Sequence, residues 1–128
     1  MSNRQTINTD KAPKAIGTYS QAVKAGTTVY ISGQIPLVAD TMELLEGSFK
    51  EKTRLCFENL KAIAMAAGGT LGDAAKVTIY LTDMANFAEV NEVMAEFFKQ
   101  PYPARAAIGV KELPKGVPVE VEAILELK

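Results

Sequence analysis

The sequence predicts an α+β fold, a mixed sheet covered on one face by two helices in the order β-β-β-α-β-α-β-β. Two segments space their apolar residues as helices do and carry stop signals. Four others alternate apolar and polar residues as strands do. No repeat, low-complexity tract or linker divides the 128 residues, so one domain spanning 1–128 is expected.

Weak strand patterns open the chain at Gln5–Asn8 and Ser20–Lys24. In the third strand, Thr27–Ser32, Val29 and Ile31 oppose Thr28, Tyr30 and Ser32. The first helix is expected over Phe49–Ala67, with Leu55, Cys56, Leu60, Ile63 and Ala64 at helical spacing. Ser48 and Glu51 make an S-x-x-E capping box before it, and Gly68-Gly69 stops it. Lys76–Thr82 alternates Val77, Ile79 and Leu81 with Thr78, Tyr80 and Thr82. The second helix, Phe87–Lys99, places Phe87, Val90, Met94, Phe97 and Phe98 on one face, with Asn86 as its expected N-cap. In Arg105–Lys111, Ala106, Ile108 and Val110 oppose Arg105, Ala107 and Gly109. The last strand, Val117–Leu127, is apolar at every odd position and carries Glu120, Glu122 and Glu126 at even ones. The uncovered sheet face is therefore expected to present Tyr, Thr, Ser, Arg and Glu. Tyr30, Tyr80 and Ile124 make it less polar than a solvated surface, which points to subunit packing there.

Composition excludes several chemistries. The chain has no histidine, so no Ser-His-Asp triad, Cys-His pair or imidazole metal site is available. The single Cys56 excludes an intrachain disulfide and fits a reducing compartment. Fifteen acids against 14 bases give a net charge of −1, no field to gather nucleic acid or anionic membrane. The polar start lacks a signal core, and the longest apolar run, Ala62–Ala67, is far below the ~18 residues of a membrane span. A soluble cytoplasmic protein is expected.

Each candidate for chemistry has a plainer reading. Arg105, flanked by Pro103 and small residues, offers a planar fork for a carboxylate or phosphate, or is a surface ion-pair partner. Glu120 and Glu122 share a strand face, so one pKa can be raised to make an acid or base, or both simply meet water. Gly33, after Ser32, allows close backbone approach, or merely ends a strand. Tyr19 covers a ligand or packs, and Cys56 reads as a buried structural thiol.

Several ordered motifs then resemble the RidA family (YjgF/YER057c/UK114) along nearly the whole chain. The stretch from Ala12 to Val23, APKAIGTYSQAV, is similar to the family's A-P-x-A-I-G-P-Y-S-Q-A. ISGQIP from Ile31, Asn59-Leu60-Lys61 before Ala66-Ala67-Gly68, and Phe87 to Asn91 before Phe97-Phe98 follow in order. YPARAA from Tyr102 and LPKGVPVEVEAI from Leu113 resemble the C-terminal signature.

The resemblance implies a chorismate-mutase-like fold and a homotrimer, sheets inside, with ligand clefts between subunits. It implies hydrolysis of reactive enamines and imines (2-aminoacrylate/2-iminopropanoate, 2-iminobutanoate), released by pyridoxal-phosphate dehydratases, to 2-keto acids and ammonia, with no metal or cofactor. Arg105 matches the arginine that binds the substrate carboxylate, and Glu120 the glutamate that positions water. Tyr19, Ser32 and Gly33 match cleft positions, Asn91 matches a recurrent asparagine with a supporting role, and backbone groups of Ala106 and Ala107 line the arginine's end. Departures stand at Ala107, where many members have cysteine, at Thr18 for a usual proline, at Met42 for a turn glycine, and in a shorter loop before Tyr102. Retention of Arg105 fits the deaminase-competent branch. A non-catalytic keto-acid-binding trimer is the second reading. An RNA-directed translation inhibitor or ribonuclease is the third, disfavoured by charge balance and missing histidine.

Overall fold

The computed structural model describes residues 3–128. Its strands are β1 (Arg4–Ile7), β2 (Ala22–Ala25), β3 (Thr28–Gln34), β4 (Ala74–Leu81), β5 (Ala104–Gly109) and β6 (Val119–Glu126). The helices are α1 (Phe49–Ala66), between β3 and β4, and α2 (Phe87–Phe97), between β4 and β5. The expected element order is thus found, with ends displaced by at most two residues. The strands form one sheet in the order β1-β2-β3-β6-β4-β5. All neighbours are antiparallel except β4 and β5, which are parallel. The C-terminal strand β6 is inserted between β3 and β4.

Local chemistry explains the helix boundaries. Glu51 N–H donates to Ser48 Oγ at 3.1 Å, and Ser48 N–H to Glu51 Oε1 at 2.9 Å, closing the capping box. At the other end, Gly69 N–H reaches Ala64 O at 3.0 Å and Gly68 N–H reaches Met65 O at 3.1 Å, with Gly68 at φ 93°. That is a Schellman stop, for which glycine suits the left-handed residue. Asn86 stands at the N-cap position of α2, as the sequence predicts, but it does not cap through its side chain. A 3₁₀ turn, Met84–Asn86, runs directly into α2, so Asn86 is already helical (φ −83°, ψ −1°) and its side chain makes no capping bond. Asp83 caps the turn instead, accepting from Ala85 N–H at 2.9 Å.

Both helices cover one sheet face. Beneath them lie Val77, Ile79 and Leu81 of β4, Val119, Val121, Ala123 and Leu125 of β6, and Val29 and Ile31 of β3. Phe57 of α1 stacks on Phe97 (centroids 5.6 Å apart) and meets Phe98 edge-on at 5.9 Å. Cys56 is buried in this core, as expected, and burial pushes its thiol pKa far up. Arg54 forks onto Glu96 with two 2.8 Å bonds at the exposed helix junction, a surface pair of small energetic weight.

The open face carries Tyr30, Ile124, Tyr80, Glu120 and Glu122. It also carries Ile108, 43% exposed, because β5 turns its apolar set outward. Arg105 is therefore not on the open face as the sequence suggested. Parallel pairing sets it beside Val77, on the helix side of an edge strand, where one face of α2 receives it. Alternation defines two opposite sets of side chains, and the pairing register decides which set meets the helices.

A buried amide organises the N-terminal segment. Gln21 Oε1 accepts from Thr9 N–H at 2.7 Å, and its Nε2 reaches Thr9 O, Ala12 O and Pro13 O at 3.0, 3.3 and 2.8 Å. Asn59 of α1 similarly holds Leu37 O at 3.0 Å and seats the segment after β3. Among the described residues no helix is long and apolar enough to cross a membrane.

Met42 adopts φ 59°, the left-handed region that glycine occupies without penalty. A Cβ there costs roughly 1–2 kcal/mol, offset in part by glycine's freer unfolded chain. Met42→Gly should therefore exceed Met42→Ala by about 0.5–1 kcal/mol in urea unfolding. An alanine variant of equal or greater stability would contradict this.

Candidate functional site

The residues singled out in the sequence fall into two groups. Glu120, Gly33, Ser32 and Tyr19 lie together, and Arg105 and Asn91 form a second group.

The first group depends on a bulge. Ile31 pairs with Ala123 and Gln34 with Val121, so Ser32 and Gly33 both stand opposite Glu122 alone. One extra residue in β3 interrupts the β3–β6 ladder beside Glu120. The glycine leaves room for the carboxylate: a Cβ at Gly33 would lie 2.0 Å from Glu120 Oε2 and displace that side chain. The sequence suggested that Gly33 admits a ligand to the backbone; within this chain the group against it is Glu120 of the neighbouring strand β6. Ser32 Oγ donates to Ser20 O at 2.6 Å, tying the bulge to the loop that carries Tyr19. Tyr19 is 53% exposed, and its hydroxyl accepts from Ile16 N–H at 3.4 Å. Together these groups line a cavity of about 460 Å³, with Lys14 and Lys115 also on its wall. Neither lysine stood out in the sequence. Lys115 is marked only by its backbone, at φ 58° in the Pro114–Gly116 turn.

Glu120 is half-buried in this wall. Its pKa is raised, first by burial and second by the negative charge of Glu122. The pairing of two carboxylates on one strand face thus has the expected sign, with desolvation the larger cause. Tyr80, opposite Glu120 on β4, is also raised, by burial and then by Glu122.

The second group sits where β5 meets α2. Arg105 Nη1 donates to Asn91 Oδ1 and lies 3.7 Å from Met94 Sδ. Its guanidinium carbon is 4.9 Å from the centre of the Phe87 ring. A cavity of about 490 Å³ adjoins, lined by Tyr102, Pro103 and Phe98 as well. Ala106 and Ala107 follow on the same edge strand, whose outer backbone groups have no neighbouring strand. Ala106 pairs with Thr78 on the open face, and Ala107 with Ile79 on the helix side.

The two groups do not meet within one chain. Arg105 is in register with Val77 on the helix side, whereas Glu120 is in register with Tyr80 on the open side, one strand further in. No group of His, Cys, Asp and Glu among the described residues is arranged to hold a metal ion.

Comparisons with known proteins agree across nearly the whole chain. A family model described as endoribonuclease L-PSP matches residues 9–127. A protein of Dermatophagoides farinae named 2-iminobutanoate/2-iminopropanoate deaminase is 43% identical over 128 residues, covering 100% of both chains. The crystal structure of RidA from an Antarctic Psychrobacter species is 57% identical, with a TM-score of 0.92 over 96% of this chain and 99% of that one. Escherichia coli TdcF, solved with bound serine, is 42% identical with a TM-score of 0.91, over 97% of this chain and 99% of that one.

The charge of Glu122 is testable apart from any reaction. Glu122→Gln should lower the Glu120 pKa, because removing a like charge favours the ionised form, yet leave it above its ordinary value, since burial remains. Carbon-detected titration of the Glu120 carboxyl measures both. An unchanged or raised midpoint would refute the coupling.

Proposed function

This chain belongs to the endoribonuclease L-PSP family, that of YjgF and RidA, and from that premise we propose that it hydrolyses reactive 2-imino acids to 2-keto acids and ammonia. The observation that carries the reading is Glu120: a half-buried carboxyl of raised pKa, held against the Gly33 bulge, facing a cavity. A poised acid–base with no imidazole suits a substrate that is already electrophilic.

Arg105 holds the substrate carboxylate through paired charge-assisted hydrogen bonds. Glu120, ionised, takes a proton from a water as its oxygen bonds to the iminium carbon, giving a neutral carbinolamine. The protonated Glu120 then delivers that proton to the amine, the C–N bond breaks, ammonia leaves, and the hydroxyl proton passes to solvent as the carbonyl forms. Orientation accounts for most of the acceleration, since carbon, water and base are brought within bonding reach. Substrates of the 2-iminopropanoate and 2-iminobutanoate kind fit, and the serine in the TdcF structure is a carboxylate of similar size. Tyr19 closes the cavity, and backbone groups of Ala106 and Ala107 border the carboxylate.

Because the two groups lie apart in one chain, we read the complete site as shared: the arginine edge of one subunit completes the Glu120 cleft of the next, in a homotrimer with the open faces inside. The exposed Tyr30 and Ile108 support that packing. The family's name notwithstanding, an RNA substrate is not favoured by a net charge of −1.

Coupled to a dehydratase that releases the imine, the protein should accelerate keto-acid and ammonia formation over buffer; no acceleration across several imines would refute the activity. Arg105→Ala should cut kcat/KM by about 10- to 100-fold, the worth of a charged hydrogen-bond pair. A variant with full activity would remove Arg105 from the site.

Sharing between subunits makes a separate prediction. Impaired Arg105→Ala and Glu120→Gln chains, unfolded together and refolded at equal ratio, should rise to roughly a quarter of wild-type activity, since each cleft draws one residue from each neighbour in a cyclic oligomer. Recovery of none would place both residues in the same subunit's site.

A further inference from the structure

We infer that Phe87 is a positioning residue that presents Arg105 to the substrate edge-on, an assignment that rests on the carboxylate role proposed for Arg105. Residues 87, 91 and 94 follow helical spacing, so α2 turns Phe87, Asn91 and Met94 toward β5 as one stripe. In the sequence, Phe87 and Met94 read only as core positions. Phe87 is instead partly exposed, with its ring 4.9 Å from the guanidinium carbon of Arg105. A cation over an aromatic face is attracted by the ring quadrupole, and a planar cation lying on a ring loses its freedom to tumble.

The remaining contacts decide which edge is offered. Asn91 takes a hydrogen from Nη1, and Met94 adds a weak sulfur acceptor to the same nitrogen. Arg105 forms no ion pair with a carboxylate among the described residues. Its charge is left for a ligand, because asparagine accepts a hydrogen bond without neutralising it. Nη1 is engaged, so the parallel N–H groups of Nε and Nη2 form the edge that matches two carboxylate oxygens. Phe87 fixes the plane and Asn91 the rotation about it. The site is then selective for a planar anionic group over a neutral carboxamide or ester.

The test replaces the ring electrons while keeping the ring. Trifluorinated phenylalanine incorporated at position 87 weakens the quadrupole at nearly constant shape. Calorimetric affinity for 2-oxobutanoate should fall about threefold to tenfold, and KM for the imine should rise in step while kcat stays within about twofold. Phe87→Leu should act likewise and Phe87→Tyr should restore affinity. Binding of 2-oxobutanamide should be weak and insensitive to the ring. Unchanged 2-oxobutanoate affinity in the fluorinated protein, or a loss confined to kcat, would overturn the assignment while leaving the deaminase reading intact. A wild-type chain that binds 2-oxobutanoate but hydrolyses no imine would do the reverse.

Discussion

β6 admits a single register, and both the core and the acid follow from it. Its odd residues, Val119 to Leu125, are buried under the helices, and its even residues include Glu120, Glu122 and Glu126. A slip of one residue would exchange Val119, Val121, Ala123 and Leu125 for Glu120, Glu122, Ile124 and Glu126 beneath α1 and α2. Each buried valine or leucine is worth about 1.5–3 kcal/mol, and burying an unpaired carboxylate costs more still, so no shifted pairing competes. Pairing on both edges, to β3 and β4, extends this constraint across the sheet. Glu120 is therefore held at the bulge by the same hydrophobic force that builds the core, and its desolvation is a by-product of the packing.

How much of this was legible depended on whether the determining interaction was local. The alternation of β6, the Ser48–Glu51 box and the Gly68-Gly69 stop all act within one element, and each was found where the sequence placed it. The paired carboxylates were legible for the same reason. Arg105 was assigned to the wrong face because its side chain's direction is decided by the pairing of β5 with β4, residues distant in sequence. Asn86 stands at the N-cap position but makes no side-chain cap, because the preceding 3₁₀ turn had already begun the helix. The bulge at Ser32-Gly33 was hidden too, since one extra residue in a strand shows only against its partner. Motif resemblance located Arg105 and Glu120 but could not place them on opposite sides of the sheet.

The two groups differ in their electrostatics in a way that suits the proposed division of labour. Glu120 is surrounded by burial and a like charge, conditions that disfavour its ionised form. Arg105 sits on an edge strand, against an aromatic ring and an uncharged amide. One end offers a half-buried acid and the other a cation with no carboxylate paired to it among the described residues. A substrate bearing a carboxylate at one end and an iminium carbon beside it meets those two properties in the right order.

Gln21 joins residues 12 positions apart through one amide. In polymer terms it is a reversible cross-link, closing the loop that supplies one wall of the Glu120 cavity. Loop-closure entropy grows only logarithmically with length, by about 0.6 kcal/mol per doubling. A chain tied in this way tolerates insertions, deletions and exchanges between its anchor points, provided the amide and its three carbonyl acceptors persist. The same loop is fastened to the β3 bulge by Ser32 Oγ on Ser20 O, so its two anchors, rather than the residues between them, set this wall's position beside Glu120.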